Sequence, residues 1–196
     1  MSGTAARISP AAPPYSAEES AVITAMMPSG SAAAAPALFR IFARNPALAT
    51  AAGAWGHYLL GRRFSLTRRQ RELVIDRVCA RCGDEYEWGL HIAHWASRVG
   101  LSDAEIAALA HGSADDPVWQ EPEALLLRVV DELYDRERLS DQTWSEASAR
   151  FDDAQLLDLV VLAGWYRTVC LLNKTLQIPP EAGAARFPAP RSAATG

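Results

Sequence analysis

One stretch, residues 68–100, constrains the fold of this chain more than any other. Apolar residues recur at three- and four-residue spacing from Leu73 to Cys79 and stop at Gly83, which predicts a helix. A second helix is predicted to begin at once with Asp84 as its cap and to end at Gly100. Two helices joined so directly are expected to form an antiparallel pair, around which the remaining elements pack.

The second helix of this pair carries polar groups on a face where a core stripe is expected. Positions 84, 87, 88 and 91 are spaced i, i+3, i+4 and i+7, so Asp84, Glu87, Trp88 and His91 share one side. The join between the two helices is therefore the candidate functional region.

The rest of the chain also has helical patterns and contains no run with strand-type alternation. Cap residues or prolines precede each apolar repeat, at Ser16, Pro36, Asn45, Thr67, Ser102, Pro122, Ser140 or Asp141, and Asp152 or Asp153. The sequence therefore predicts an all-α fold. We expect residues 1–31 to form an N-terminal arm with a short helix, residues 32–180 a helical domain, and residues 181–196 a flexible C-terminal tail. The arm is expected on the surface or against a neighbouring molecule.

Composition excludes several classes of partner. Nineteen basic against twenty-three acidic residues give a net charge of −4, without the basic blocks that follow a phosphate backbone, so nucleic acid is not an expected partner. Asp158 and Arg167 interrupt the longest apolar run, and no secretory signal opens the chain. We expect a cytoplasmic protein that does not span a membrane, with its three cysteines as thiols.

Glu87 and His91 are candidates for acid–base chemistry. A glutamate four residues before a histidine on a helix can hold the imidazole in one tautomer and stabilise its protonated form. Glu72, on the preceding helix, could join them across the hairpin. The alternative is an ordinary surface pair on a solvated helix face.

Cys79 and Cys82 form C-A-R-C, which suggests a redox dithiol. They lie in the last helical turn, however, where the helix dipole raises a thiol pKa, although Arg81 could compensate in part. Two half-buried structural cysteines are the simpler interpretation, and Cys170 is expected to be inert packing.

Other polar groups interrupt apolar helices. His57, Tyr58, Tyr166 and Arg167 could line a pocket, although an internal ion pair is the first interpretation of Arg167. Trp88 could be a core residue or a ligand platform. Glu87, His91 and His94 could be three ligands of one metal ion, but no further residue completes the set. No metal site is therefore predicted.

The segment RRQRELVIDRVCARCGDEYEWGLHIAHWASRVGLSDAEIAAL, residues 68–109, resembles the core motif of the carboxymuconolactone decarboxylase family, which includes alkyl hydroperoxidase D-type proteins. Weaker similarity extends from about Phe39 to Ile178. The resemblance implies a helical domain built on the paired helices, assembled as a trimer or larger homo-oligomer. It also implies a site near the join, often at a subunit boundary.

The chain departs from the peroxidase branch of that family at its cysteines. In that branch a glutamate is followed after eleven residues by C-x-x-C and, after three more, by a histidine. The corresponding residues here are Glu72, Asp84, Glu87 and His91, so both sulfurs are replaced by carboxylates. C-A-R-C lies five residues too early to restore the motif. The decarboxylase branch, which moves protons without a metal or organic cofactor, is the closer resemblance.

The sequence therefore predicts a cofactor-free lyase, decarboxylase or isomerase acting on a small organic acid, lactone or natural-product intermediate. His91 would move the proton, Glu87 would orient it and Glu72 would be a second acid or base. The predicted substrate-binding residues are Tyr58, Cys82, Asp84, Trp88 and Arg167. The alternatives are a thiol peroxidase that uses Cys79 and Cys82, or a non-catalytic binding protein on the same scaffold.

Overall fold

A computed structural model describes residues 5–27 and 33–190, and within these ranges the chain contains nine α-helices and no strand. The all-α prediction is confirmed. The helices are α1 (Ala17–Met26), α2 (Ala37–Phe42), α3 (Pro46–Leu59), α4 (Arg68–Cys82), α5 (Glu85–Trp95), α6 (Asp103–His111), α7 (Glu123–Arg136), α8 (Asp141–Arg150) and α9 (Asp153–Leu176). The first helix is predicted from the sequence to break at Pro28 and Gly30, but both residues lie outside the described ranges.

The predicted helix starts have the expected caps, and one predicted end is wrong. The capping boxes at Ser16, Thr67 and Ser102 all form. The helix expected to reach Gly100 ends at Trp95, and a short 3₁₀ helix, Ser97–Val99, follows it. The change occurs because the backbone N–H of Leu101 donates to the carbonyl of Ala96 at 2.9 Å, which closes the helix early.

The chain divides into two compact units. The first comprises residues up to Phe64 together with Asn173–Glu181, and the second comprises Ser65–Leu172 with the residues from Ala182 onward. The domain limits expected from the sequence, 1–31, 32–180 and 181–196, are not tested by this division and stay predictions.

In the first unit, the N-terminal arm packs against its own chain. The backbone N–H of Ala11 donates to the carbonyl of Arg40 at 3.0 Å, and that of Arg7 donates to the carbonyl of Leu176 at 2.8 Å. Ala11 is fully buried with Ile23 and Ala43. Ala11 thus anchors the arm in the core of its unit, while most of residues 5–15 are exposed, which agrees with the surface position that the sequence suggested.

The second unit is organised around α4, which packs against α5, α6 and α7. Nine consecutive residues of α4, from Arg71 to Cys79, are buried. Charged groups within that run have fixed partners: the guanidinium of Arg77 donates to both carboxylate oxygens of Asp131 at 2.8 Å and to the carbonyl of Leu109 at 3.0 Å. Because such groups lose their hydration on burial, these bonds offset the cost of placing them inside.

The C-terminal residues 182–190, predicted as part of a flexible tail, lie along α5 in the structure. The backbone N–H of Ala185 donates to the carbonyl of Gly89 at 3.1 Å, and Arg186 forms an ion pair with Glu85 at 2.7 Å. Gly89 permits this approach, since a Cβ at that position would lie 2.4 Å from the carbonyl oxygen of Ala185. We call residues 182–190 the C-terminal segment.

Helix α9 is long and apolar enough to cross a membrane by length and composition alone, and 44% of its most apolar window is buried inside the protein. Core helices of soluble proteins meet the same criterion. Leu159, Leu162 and Val169 of α9 are core residues. This burial is consistent with a soluble protein, and the cytoplasmic location stays a prediction.

Candidate functional site

The turn between α4 and α5 brings Glu72 and His91 together. Gly83 ends α4 in the left-handed region with a φ of 62°, and the backbone N–H of Asp84 donates to the carbonyl of Cys79 at 2.9 Å. The Asp84 carboxylate then accepts from the backbone N–H of Tyr86 at 3.2 Å and caps α5. Helix α5 consequently runs back beside α4, with His91 next to Glu72.

His91 lies between two carboxylates. Its Nδ1 is 2.7 Å from Oε2 of Glu72, and its Nε2 is 3.4 Å from Oε1 of Glu87. The interpretation of Glu87 and His91 as a solvated surface pair does not hold, because both residues are buried. Glu72, which the sequence suggested as a second acid or base, is the closer partner of the imidazole.

Two further residues complete the cluster around His91. The hydroxyl of Tyr166, on α9, is 3.3 Å from His91 Nε2, and the two rings meet edge to face. The Nε of Arg71 donates to Oε1 of Glu72 at 3.0 Å. The sequence marked Tyr166 as a polar residue on an apolar helix, but it gave no reason to select Arg71, which lies in a strongly charged helix start typical of a solvated surface. We call Arg71, Glu72, Glu87, His91 and Tyr166 the His91 cluster.

The pKa of His91 is raised to about 10. Burial alone would lower it, but the charge and hydrogen bond of Glu72, followed by those of Glu87, outweigh that effect. His91 is therefore an imidazolium at neutral pH. Arg71 and His91 supply two positive charges and Glu72 and Glu87 two negative charges, so the formal charge of the cluster is zero.

Asp76 is a further buried acid near His91, in addition to Glu72 and Glu87. The sequence analysis did not select it. It lies one turn after Glu72 on α4, and burial raises its pKa well above the usual value. The positive charge of His91 opposes this rise, and the negative charge of Glu72 adds to it. Within the described ranges, its Oδ1 has no hydrogen-bond partner. Burial therefore favours the neutral form of this carboxyl group.

Of the predicted substrate-binding residues, Asp84 and Trp88 lie on α5 with the cluster. Asp84 is buried as the cap of that helix. Trp88 is fully buried, and its ring packs on Phe187 of the C-terminal segment with centroids 4.9 Å apart. Its indole N–H has no hydrogen-bond partner among the described residues. A ligand role for Trp88 would therefore require the C-terminal segment or the helix to move.

Tyr58 and Arg167 occupy other surroundings. Tyr58 is an exposed residue of the first unit, where its ring meets Phe64 edge to face. Arg167, in the second unit, lies 3.7 Å from Glu137 and over the ring of Tyr134. It borders an apolar cavity of about 250 Å³ lined by residues of α4, α7 and α9. Arg167 therefore has a carboxylate partner within the protein at an exposed position, and its role in substrate binding stays a prediction.

The cysteines of C-A-R-C have different environments. Cys79 is fully buried, and burial is the main cause that raises the pKa of its thiol to about 12. Cys82 is half-buried at the end of α4. Arg81, which could have lowered a thiol pKa, pairs instead with Asp131 and Asp135. All three cysteines of the chain are thiols.

No group of three or more His, Cys, Asp or Glu side chains in residues 5–27 and 33–190 is arranged to hold a metal ion. In particular, His94 is exposed and lies beside Arg98 rather than with Glu87 and His91.

Comparison with known proteins finds a match between part of the chain and one family model. Residues 46–128 match the model of the Carboxymuconolactone decarboxylase family. This range covers α3 to the first part of α7 and contains Glu72, Glu87 and His91. No curated protein matches the chain significantly.

Solved structures share the fold at low sequence identity. An uncharacterized peroxidase-related protein from Silicibacter sp. TM1040 has a TM-score of 0.78 at 16% identity, over 96% of this chain and 97% of that one. The debrominase Bmp8 has a TM-score of 0.73 at 15% identity, over 90% and 92%. A protein of unknown function from Agrobacterium tumefaciens, ATU0492, proposed to be the antioxidant defence protein AhpD, has a TM-score of 0.65 at 20% identity, over 72% and 95%. At these identities the likeness establishes the fold alone.

Proposed function

We propose that this chain, whose core belongs to the carboxymuconolactone decarboxylase family, is an enzyme that carries out cofactor-free acid–base chemistry on a small organic acid, lactone or natural-product intermediate. The proposal rests mainly on one observation, the buried imidazole of His91 held between the carboxylates of Glu72 and Glu87. A proton donor and a proton acceptor side by side in a buried site are what decarboxylation or isomerisation next to a carbonyl requires.

The two carboxylates would have different roles. Solvent reaches 11% of the Glu87 side chain and 8% of His91, but none of Glu72. A substrate would therefore approach on the side of Glu87 and His91 Nε2. Glu72 would hold the imidazole through Nδ1, which exchanges the two roles that the sequence suggested for the glutamates.

In the proposed reaction, Glu87 accepts a proton from a carbon next to a carbonyl group, and His91 Nε2 donates one to a second carbon of the enolate that forms, whose negative charge lies on the carbonyl oxygen. Burial raises the pKa of Tyr166 well above its usual value, and the charges of Glu87 and Glu72 add to this effect, so its phenol stays protonated. Tyr166 would then be a hydrogen-bond donor to the same oxygen, a type of contact that stabilises negative charge in a transition state.

The test is a screen of small lactones, β-keto acids and related carboxylic acids, with carbon dioxide release and ultraviolet absorbance as readouts. For any substrate found, His91→Gln should lower turnover by roughly 10² to 10⁴, and Glu87→Gln should act similarly. Cys79→Ala is the matched control at a buried residue outside the His91 cluster, and it should leave turnover nearly unchanged. Normal turnover in His91→Gln with loss in Cys79→Ala would contradict the proposal.

The two alternatives have less support. A thiol peroxidase that uses Cys79 needs a reactive thiolate, whereas the pKa of that thiol is raised to about 12. A non-catalytic binding protein would bind compounds from the screen without converting them, which is the result that would favour it.

We also propose that the protein is a homo-oligomer, a trimer or a multiple of it, as the family resemblance implies. Support comes from α9, where Leu157, Val160 and Leu171 are exposed on one face around Gly164. An apolar face of this kind is typical of a subunit contact.

A further inference from the structure

The C-terminal segment covers the part of α5 that carries Trp88. The backbone N–H of Ala185 donates to the carbonyl of Gly89 at 3.1 Å. The backbone N–H of Phe187 donates to Oε1 of Glu85 at 3.2 Å. Trp88 lies between these two contact positions of α5, and the ring of Phe187 packs on it with centroids 4.9 Å apart and planes tilted by 37°. The segment therefore occupies a groove whose floor is an indole ring.

Trp88 has a polar atom that the protein itself does not use. Its side chain is completely buried, and its indole N–H meets no acceptor in the part of the chain that the structure describes. A buried donor without a partner destabilises the folded protein, so such groups are rare and call for an explanation. A bound molecule with an acceptor oxygen would satisfy this donor.

The same residue adjoins the His91 cluster. Trp88 follows Glu87 directly on α5 and precedes His91 by three residues. With 3.6 residues per turn, it lies between the side of the helix that carries Glu87 and His91 and the side that meets the C-terminal segment. A molecule in the place of Phe187 would therefore lie beside the proposed acid–base pair.

The polar contacts that hold the segment are of a kind that opens readily. Arg186 and Glu85 form an ion pair at 2.7 Å, but their side chains are 65% and 34% exposed, and surface ion pairs contribute little to stability. Nε2 of His111 donates to the carbonyl of Pro188 at 2.6 Å, also in an exposed position. Water can replace both bonds, so the segment can open locally while the helices stay folded.

We propose that this groove is a binding site for a small lactone or organic acid with an aromatic or conjugated ring, and that the C-terminal segment occupies it until such a molecule displaces Phe187. The indole of Trp88 stacks on the planar face of the ligand, as it now packs on Phe187, and its N–H donates to a carbonyl oxygen. As a substrate site, the groove rests on the proposed function and narrows its substrate class.

Nuclear magnetic resonance tests the site with coumarin, an aromatic lactone, as the probe. The chain has six tryptophans, and Trp88→Phe identifies the indole N–H signal of Trp88 by its loss. Coumarin should shift this signal in the wild type. δ-Valerolactone, which has the lactone carbonyl but no aromatic ring, should bind more weakly. Phe187→Ala should tighten coumarin binding roughly three- to tenfold, because the competing ring is gone.

Three further variants separate displacement from general disturbance. Phe187→Tyr keeps the ring and should bind coumarin as the wild type does. Arg186→Ala loosens the segment at an exposed position and should tighten binding to a smaller extent, which tests the competition even where Phe187→Ala does not fold. Arg150→Ala removes an exposed arginine of α8 and should leave coumarin binding unchanged.

The measurements can overturn the proposal in distinct ways. A Trp88 signal that coumarin shifts in none of these proteins would rule out the site. Equal coumarin affinity in the wild type, Phe187→Ala and Arg186→Ala would rule out competition by the segment, and equal binding of the two lactones would rule out the ligand class. None of these readouts needs turnover, so an absence of catalytic activity would count against the proposed function and not against the groove.

Discussion

His91 Nδ1 and Glu72 Oε2 lie 2.7 Å apart in the buried space between α4 and α5, although nineteen residues separate them in the chain. This contact joins the two helices of the hairpin through a charged pair. Its consequences can be measured separately from any enzymatic activity.

Replacing Glu72 should destabilise the protein much more than replacing Glu87. Glu72→Gln leaves His91 and Arg71 buried without their shared carboxylate, and the loss of one partner of a buried pair costs about 3–5 kcal/mol. Glu87→Gln removes the more distant and more exposed partner, so its cost should be smaller. Urea denaturation monitored by circular dichroism measures both. Equal free energies of unfolding for the two variants would contradict the assigned partnership.

The imidazole of His91 should remain protonated well above neutral pH. Because Glu72 and Glu87 raise its pKa to about 10, its NMR signals should titrate near that pH, whereas the pKa of exposed His94 is lowered from its ordinary value. Arg98 is one cause of the lowered pKa of His94, after partial burial. A midpoint for His91 near 6.5 would show that the carboxylates do not hold the proton.

The same shift predicts how stability depends on pH. A group whose pKa is higher in the folded state stabilises the protein fully below its unfolded value, 6.5, and that contribution is lost as pH rises through about 10. The difference in free energy of unfolding between the wild type and His91→Gln should therefore shrink from pH 6 to pH 10. A difference that stays constant or grows over this interval would contradict the linkage.

Two glycine-to-alanine changes on helices should have opposite effects. At Gly89 the new Cβ would lie 2.4 Å from the carbonyl oxygen of Ala185, so the C-terminal segment must shift and stability should fall by about 1–3 kcal/mol. At Gly56 a Cβ meets no atom within 4 Å, so Gly56→Ala should stabilise α3 by up to about 1 kcal/mol. Hydrogen exchange of residues 182–190 should accelerate only in Gly89→Ala. Unchanged exchange there would show that the segment does not depend on Gly89.

The proposed oligomer should dissociate when a charge is placed on the exposed face of α9. Light scattering of the wild type should give a multiple of 21.2 kDa, and Leu171→Glu should lower the mass because a carboxylate would be buried in the contact. Ser145→Glu adds the same charge at another exposed helical position and should leave the mass unchanged. A wild-type mass of 21.2 kDa at micromolar concentration would rule out the oligomer.

Local signals made most of the helical framework predictable. Capping residues such as Thr67 and Ser102 act through neighbouring backbone groups, so their effect is visible in a short window of sequence. The approach of Glu72 to His91 also followed from the short join at Gly83, because a hairpin without a linker leaves few arrangements.

The buried charges of α4 could not be found in the same way. Arg71 and Asp76 lie in a helix that is covered on all sides, and a helical pattern identifies only one apolar face. Arg71 pairs with its neighbour Glu72, but the helices α5, α6 and α7 that cover α4 follow later in the chain. The C-terminal segment was missed for a related reason. Its proline- and alanine-rich sequence resembles a flexible tail, and Gly89 of α5 is the one residue whose type fits the close approach of the segment's backbone.

The separation of 3.4 Å between Glu87 Oε1 and His91 Nε2 has a consequence for the fate of substrate hydrogen. After the proposed reaction Glu87 would hold the proton it removed and His91 would have given one away, so direct transfer between them restores the starting state without a water molecule. Since solvent reaches only about a tenth of either side chain, that hydrogen should exchange slowly. A substrate deuterated at the reacting carbon should then pass part of its label to later product molecules in ordinary water.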